Sequence, residues 1–173
     1  MSNKQTTIKR SISLDGVGIH TGNKVKITFK PADADTGYVF KRVDLTDLPE
    51  VEALSKYVVN TQRGTTLEKD GVKLKTIEHV LAALVGLEID NVHIEINGEE
   101  PPILDGSSKF FVEALESAEI KTLDKIRSEY IVKDVISYVD DETGSEITLI
   151  PNDKYQIITM VDYDTKILGT QNA

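Results

Sequence analysis

One pattern constrains the fold more than any other, because it occurs twice. The stretch ITFKPADADTGYVFKRVD (27–44) reads as strand, proline-led turn and strand, and ITLIPNDKYQIITMVD (147–162) has the same plan. Ile27-Thr28-x-x-Pro31 returns as Ile147-Thr148-x-x-Pro151, 120 residues later, and Val43-Asp44 returns as Val161-Asp162, 118 residues later. Two unrelated hairpins can match in this way. Two matches in order favour an internal duplication with a period near 120 residues. A chain built so is α+β: each copy lays helices on one face of a small sheet, since strands alone cannot bury a core. KTLDKIRS (121–128) reads as a linker. The expected organisation is a first domain over 1–122, a linker over 123–128, and the opening strands of a second domain over 129–173. The second copy is expected to be truncated, with its helices beyond residue 173.

Within the first copy, Lys24–Lys30 alternates polar and apolar residues, as a half-buried strand does. Pro31 and the Ala-Asp-Ala-Asp-Thr-Gly turn end it, and Tyr38–Val43 resumes as its expected antiparallel hairpin partner. Val58–Leu67 and Val72–Leu74 read as short strands around the Lys69-Asp70-Gly71 turn. Residues 77–87 read as a first helix and Val92–Ile96 as a strand, with His93 and Glu95 opposite Val92, Ile94 and Ile96. The loop 97–108 leads to a second, amphipathic helix from about Ser108 to Ala118. Its apolar stripe is Phe110, Phe111, Ala114, Leu115 and Ala118. In the second copy, strands are expected over 129–139, 146–150 and 155–163.

The functional question concentrates in KTIEHVLAAL (75–84). On a helical wheel Ile77, Val80, Leu81 and Leu84 make the core stripe, and His79 lies about 200° from Ile77. The face around His79 carries only Ala82, Ala83 and Gly86, so something packs there or a site lies over it. Thr76 suits the N-cap position. A helix N-terminus favours a carboxylate and a neutral imidazole by about 0.3–1 kcal/mol each. Those are the forms of a general base and of a metal ligand. The alternative is a negatively charged first turn with an incidental histidine, and the dipeptide alone leaves both open. With no cysteine, a metal would need His, Asp or Glu, and the only histidines are His20, His79 and His93. A catalytic zinc usually takes three protein ligands, so the chain alone is not expected to complete one. His20 lies in the glycine-rich turn GVGIHTG, and Asp105 precedes the second helix in PPILDGSS. Each is a site candidate or an ordinary turn residue. His93 reads as a strand-face residue.

A net charge of −9 with scattered acidic residues argues against a nucleic-acid surface. No apolar run reaches the roughly 20 residues of a membrane span, and the polar N-terminus lacks a signal-peptide core. A cytoplasmic location is the expectation.

Taken together, GVGIHTG, TIEHVLAALVGLEIDNVHIEING and PPILDGSSKFFVEAL closely resemble the zinc-dependent UDP-3-O-acyl-N-acetylglucosamine deacetylases of lipid A biosynthesis in Gram-negative bacteria. The resemblance runs over most of residues 6–163. It implies two similar domains of ribosomal S5 domain 2-like fold facing each other across an active site. It implies Zn2+ as cofactor, His79 as a zinc ligand and Glu78 as the base that activates water. His20 and Asp105 match positions with supporting roles, and Thr61, Gln62 and Arg63 match a region bordering the acyl chain. The remaining ligands and an acid are expected beyond residue 173. The implied reaction hydrolyses the N-acetyl group of a UDP-3-O-acyl-N-acetylglucosamine to release acetate. Some members are fused to a hydroxyacyl-carrier-protein dehydratase. The competing reading is a non-catalytic α+β module that binds a sugar nucleotide or a protein. A metal-dependent lyase on a similar fold would need clustered histidines, which the chain lacks.

Overall fold

The computed structural model describes residues 3–163 and 165–173. It divides into two compact units, Met1–Arg127 and Ser128–Ala173, each described here by itself.

In the first unit the chain runs through β1 (Lys4–Ile8), β2 (Ile12–Val17), β3 (Lys24–Pro31), β4 (Tyr38–Arg42) and β5 (Glu50–Glu52). A 3-10 turn at Ser55–Tyr57 precedes β6 (Val58–Asn60), β7 (Thr66–Lys69) and β8 (Val72–Leu74). Then come α1 (Glu78–Gly86), β9 (Val92–Ile96), α2 (Lys109–Ser117) and β10 (Ile120–Ile126). The central sheet has the order β2-β3-β9-β4-β5, β6-β7-β8 form a second small sheet, and β1 pairs with β10. Alternation places Val25, Ile27 and Phe29 of β3 and Val92, Ile94 and Ile96 of β9 in the core. The helices contribute Ile77, Val80 and Leu84, and Phe111, Leu115 and Ala118. The Phe111 ring meets Phe29 edge-on, with centroids 6.4 Å apart and planes at 83°, a favoured aromatic geometry that seats α2 over β3.

The expected hairpin between Lys24–Lys30 and Tyr38–Val43 does not form. β9 lies between them, antiparallel to β3 and parallel to β4, so that Ile94 faces both Phe29 and Phe40. The reason is burial: β9 presents three fully buried aliphatic residues and takes the central position, where both its edges are paired. The parallel β4–β9 pairing then needs a long crossover, which residues 43–91 with α1 provide.

Three further expectations are corrected. Residues 121–126 are not a linker: they belong to β10, whose register sets Thr122 against Thr6 and Lys121 against Thr7. The unit boundary falls after Arg127. Phe110 is 41% exposed, because Phe111 and Leu115 already fill the groove over the sheet, and Lys109 lies over its ring. Thr76 does not cap α1; the helix begins at Glu78 with Ile77 at the cap position, and the Thr76 hydroxyl is spent elsewhere.

The second unit contains β11 (Ile136–Val139), β12 (Glu146–Leu149), β13 (Met160–Asp162) and β14 (Thr170–Asn172). The strands are shorter than expected, and β12 pairs with β11 rather than with residues 155–163. Local turn chemistry selects that partner. Asp140 accepts hydrogen bonds from the Glu142 amide at 2.9 Å and the Thr143 hydroxyl at 3.0 Å, and Gly144 takes a φ of +69°. β13 pairs with β14. Every residue of these four strands is exposed. One detail repeats between the units. Across β2–β3 the Ser13 and Thr28 hydroxyls meet at 2.8 Å beside the Leu14–Ile27 pair. Across β11–β12 the Ser137 and Thr148 hydroxyls meet at 2.8 Å beside the Tyr138–Ile147 pair.

Candidate active site

Glu78 and His79 occupy the first turn of α1, both half-buried. The chain enters this turn through a kink: Thr76 has φ +54°, an unfavourable backbone conformation for a β-branched residue. The Glu78 carboxylate accepts a hydrogen bond from the Thr65 amide at 2.9 Å, so one oxygen is pinned by the loop between β6 and β7. That loop comes close because Gly64 has no side chain. A Cβ there would lie 3.3 Å from Glu78 Oε1 and 3.4 Å from Thr76 Oγ1. His79 shares its side of the helix with Ala82 and Gly86, both exposed, and a Cβ on Gly86 would meet nothing within 4 Å. Of the small-residue face expected beside the imidazole, Ala82 and Gly86 are open, whereas Ala83 is buried in the core because it turns toward the apolar stripe of the helix.

The group that organises the surrounding loops is Glu100, which is only 2% exposed. Its carboxylate accepts from the His20 amide at 3.1 Å, from the Thr21 amide at 2.8 Å and hydroxyl at 2.9 Å, and from the Thr76 hydroxyl at 3.0 Å. Burial pushes its carboxyl upward, but the bonds from Thr21, His20 and Thr76 outweigh burial and hold it below its ordinary value. Gly18 makes room for this arrangement: a Cβ there would sit 2.4 Å from Glu100 Oε2 and 2.5 Å from Thr21 Oγ1. Nearby, the Lys75 amide donates to the Glu99 carbonyl at 2.7 Å. Three segments far apart in sequence thus converge: the glycine-rich turn, the start of α1 and the loop after β9.

The predicted candidates fare differently. His20 reaches this network through its backbone amide, and its side chain is exposed. Asp105 is exposed and folds a local turn, accepting from the Ser107 amide at 3.0 Å and hydroxyl at 2.9 Å. The Ser107 amide, then its hydroxyl, hold the Asp105 carboxyl below the usual range. Thr61, Gln62 and Arg63 form the exposed tip of the β6–β7 loop, with Arg63 at φ +59°. The same loop carries Gly64 and Thr65, which touch Glu78. His93 stands half-buried on β9 opposite Lys30 and Val39, a strand-face position. Glu100 escaped sequence reasoning, and so did the approach of Gly64 and Thr65 to Glu78, since the resemblance matches residues 61–66 only to a region bordering the acyl chain. The only hint was the acidic pair Glu99-Glu100 immediately before two prolines, and nothing local says that the second of them is buried.

A cleft of about 490 Å³ opens beside this network, lined by residues that include Thr21, Arg42, Asp44, Asn97 and Glu99. Neither Glu78 nor His79 lines it, and its arginine is already engaged, donating to both Asp44 oxygens at 2.8 and 2.7 Å. Among the described residues no group of three or more His, Cys, Asp or Glu side chains is arranged to hold a metal ion. His79 carries an imidazole, a side-chain type that can ligate zinc.

The chain matches the family model described as LpxC, UDP-3-O-acyl N-acetylglycosamine deacetylase, over residues 5–173. The chain belongs to this deacetylase family. It is 47% identical over 169 residues to the bifunctional enzyme LpxC/FabZ of Chlorobaculum tepidum, a match that covers 98% of this chain and 36% of that protein. The bifunctional enzyme LpxC/FabZ of Bacteroides thetaiotaomicron is 42% identical over 170 residues, 98% of this chain and 37% of the relative. The UDP-3-O-acyl-N-acetylglucosamine deacetylase of Geotalea uraniireducens is 38% identical over 167 residues, 96% of this chain and 54% of the relative. The chain thus spans between about a third and about half of the length of these LpxC-family relatives. Among the described residues no helix is long and apolar enough to cross a membrane.

Proposed function

We propose that the full-length protein is a zinc-dependent deacetylase. It would remove the N-acetyl group of a UDP-3-O-(3-hydroxyacyl)-N-acetylglucosamine, releasing acetate at the committed step of lipid A biosynthesis in the cytoplasm. The observation that carries the reading is the Glu78 carboxylate, fixed by the Thr65 amide in the first turn of α1 and adjacent to His79. Family membership names the chemistry that such a pair serves.

In this reading Glu78 is the general base. It takes a proton from the water that attacks the acetamide carbonyl, while the Thr65 amide keeps the carboxylate oriented. His79 holds one coordination position of the zinc, and further ligands come from the protein beyond residue 173. Zinc, when bound, supplies a water of lowered pKa and a Lewis acid at the carbonyl. The open face of Ala82 and Gly86 leaves room beside His79 for the sugar or for another part of the protein. In the same reading the exposed β6–β7 tip, with Thr61, Gln62 and Arg63, borders the acyl chain. His20 and Asp105 have supporting roles, His20 through its loop and Asp105 through its turn. The 173-residue chain by itself is expected to be inactive.

We also infer that residues 129–173 open a second copy of the first unit's fold. The equivalent serine–threonine pairs across β2–β3 and β11–β12, in equivalent register, support this.

The test is acetate release. Full-length protein should liberate acetate from the UDP-sugar, stop when zinc is chelated and recover when it is restored. Active full-length protein that keeps its rate after complete removal of metal contradicts the reading. Tight sugar-nucleotide binding without acetate release would favour the non-catalytic module.

A further inference from the structure

Glu100 has no part in the chemistry described above, yet it is a carboxylate with 2% exposure, and its bonds come from amides and hydroxyls. Burying a charge is costly unless it is fully hydrogen-bonded. The donors lie in the 18–21 turn and at Thr76, two residues before Glu78.

Thr76 carries the kink that starts α1. A β-branched residue at φ +54° is strained and persists only where its surroundings enforce it. Two bonds enforce it here: the Thr76 hydroxyl to Glu100 Oε1 at 3.0 Å, and the Lys75 amide to the Glu99 carbonyl at 2.7 Å. The Ile77 amide, next in the chain, donates to the Thr65 carbonyl at 3.4 Å, and a Cβ on Gly64 would stand 3.4 Å from the Thr76 hydroxyl oxygen. The next residue, Thr65, donates its amide to Glu78. The contacts therefore run from Glu100 to Thr76, along the chain to Ile77 and its bond with Thr65, and from Thr65 to the Glu78 carboxylate.

We propose that Glu100 is a positioning residue: through the Thr76 hydroxyl it fixes the entry of α1 and the 64–65 loop together, and so the aim of Glu78. The proposal rests on the deacetylase reading for its kinetic consequence and on geometry alone for its structural one. A misaimed base loses turnover directly, whereas the acyl-chain contact proposed for the tip of the same loop is only one part of substrate binding, so kcat should fall by far more than KM changes.

The experiment compares full-length wild type with Thr76→Val, Thr76→Ser and Glu100→Gln. Valine keeps the shape of threonine and lacks the hydroxyl; serine keeps the hydroxyl. Thr76→Val is expected to lower kcat by about 10- to 100-fold with KM within about twofold and zinc content unchanged. Thr76→Ser should stay within about threefold of wild type, because the hydroxyl–Glu100 bond is retained. Should Thr76→Val fail to fold, Glu100→Gln supplies the same kcat–KM comparison. Amide hydrogen exchange of residues 62–66 is read on the same proteins. It should quicken in Thr76→Val and Glu100→Gln and stay at the wild-type rate in Thr76→Ser. Folded variants with a lowered unfolding midpoint but unchanged kcat and unchanged exchange at 62–66 overturn the proposal. If wild type releases no acetate, the deacetylase reading fails, and the exchange data still decide the coupling by themselves.

Discussion

Replacing Gly18 by alanine places a methyl group where the Glu100 network leaves no space. The added Cβ would lie 2.4 Å from Glu100 Oε2, 2.5 Å from Thr21 Oγ1 and 2.9 Å from Glu100 Cδ. Neither neighbour is a loose side-chain end, because the carboxylate accepts from His20, Thr21 and Thr76 and the Thr21 hydroxyl is one of its donors. Relief requires the carboxylate to back away and weaken its bonds to Thr21. Hydrogen bonds to a charged group contribute about 1.5–3 kcal/mol each, and overpacking a filled site costs about 1–3 kcal/mol. With partial relaxation, Gly18→Ala should lose about 2–4 kcal/mol, read as the change in unfolding free energy in urea at pH 7. Gly86→Ala is the matched control. That position is exposed, has open space where the Cβ would go and lies in a helix, so alanine should stabilise by up to about 1 kcal/mol. A loss below about 0.5 kcal/mol for Gly18→Ala would show that Glu100 moves freely, and would refute the description of its carboxylate as fixed.

Glu100 also predicts an acid dependence. Its carboxyl is held below its ordinary value of 4.5 in the folded protein. The stability it contributes is present above that value and is lost as pH falls through the folded pKa. Glu100→Gln should therefore flatten the decline of the urea midpoint below pH 4.5, and a decline as steep as wild type would contradict it. Tyr38 predicts the opposite limb. Burial, then Asp90, push its phenol from 10 up to about 12, and its hydroxyl donates to the Ile89 carbonyl at 2.6 Å. That stability is complete below pH 10 and is lost as pH rises through about 12. Tyr38→Phe should cost about 0.5–1.5 kcal/mol at pH 7 and make unfolding less steep between pH 10 and 12, as measured by circular dichroism.

Features set by local periodicity were legible in the sequence. The alternation of Val92-His93-Ile94-Glu95-Ile96 delimits β9 correctly, and the stripe of Ile77, Val80 and Leu84 marks the buried face of α1. What periodicity does not carry is pairing. Lys24–Lys30 and Tyr38–Val43 look like a hairpin because a turn joins them, yet β9, arriving some fifty residues later, buries more apolar surface by entering between them. Thr76 is typical of a cap by residue type, and only the distant Glu100 diverts its hydroxyl. The Glu-His pair drew notice in the sequence because a small-residue face beside His79 is unusual on a solvated helix. The Glu78–Thr65 bond was not, since the loop's approach depends on Gly64 in a conformation, φ +150°, that no local pattern announces. In the second unit β12 pairs with the strand before it, as β3 does in the first, and the Asp140–Gly144 turn chemistry closes that hairpin.

The central claim is that Glu78 and His79 divide the work, one on the water and one on the metal. Parallel measurement of bound zinc and acetate release in full-length Glu78→Gln and His79→Ala tests it most directly. The account predicts that Glu78→Gln retains zinc at the wild-type stoichiometry while turnover falls by at least about 100-fold, and that His79→Ala loses zinc and turnover together. Zinc-loaded Glu78→Gln that turns over at the wild-type rate, or His79→Ala that binds zinc as wild type does, would contradict it.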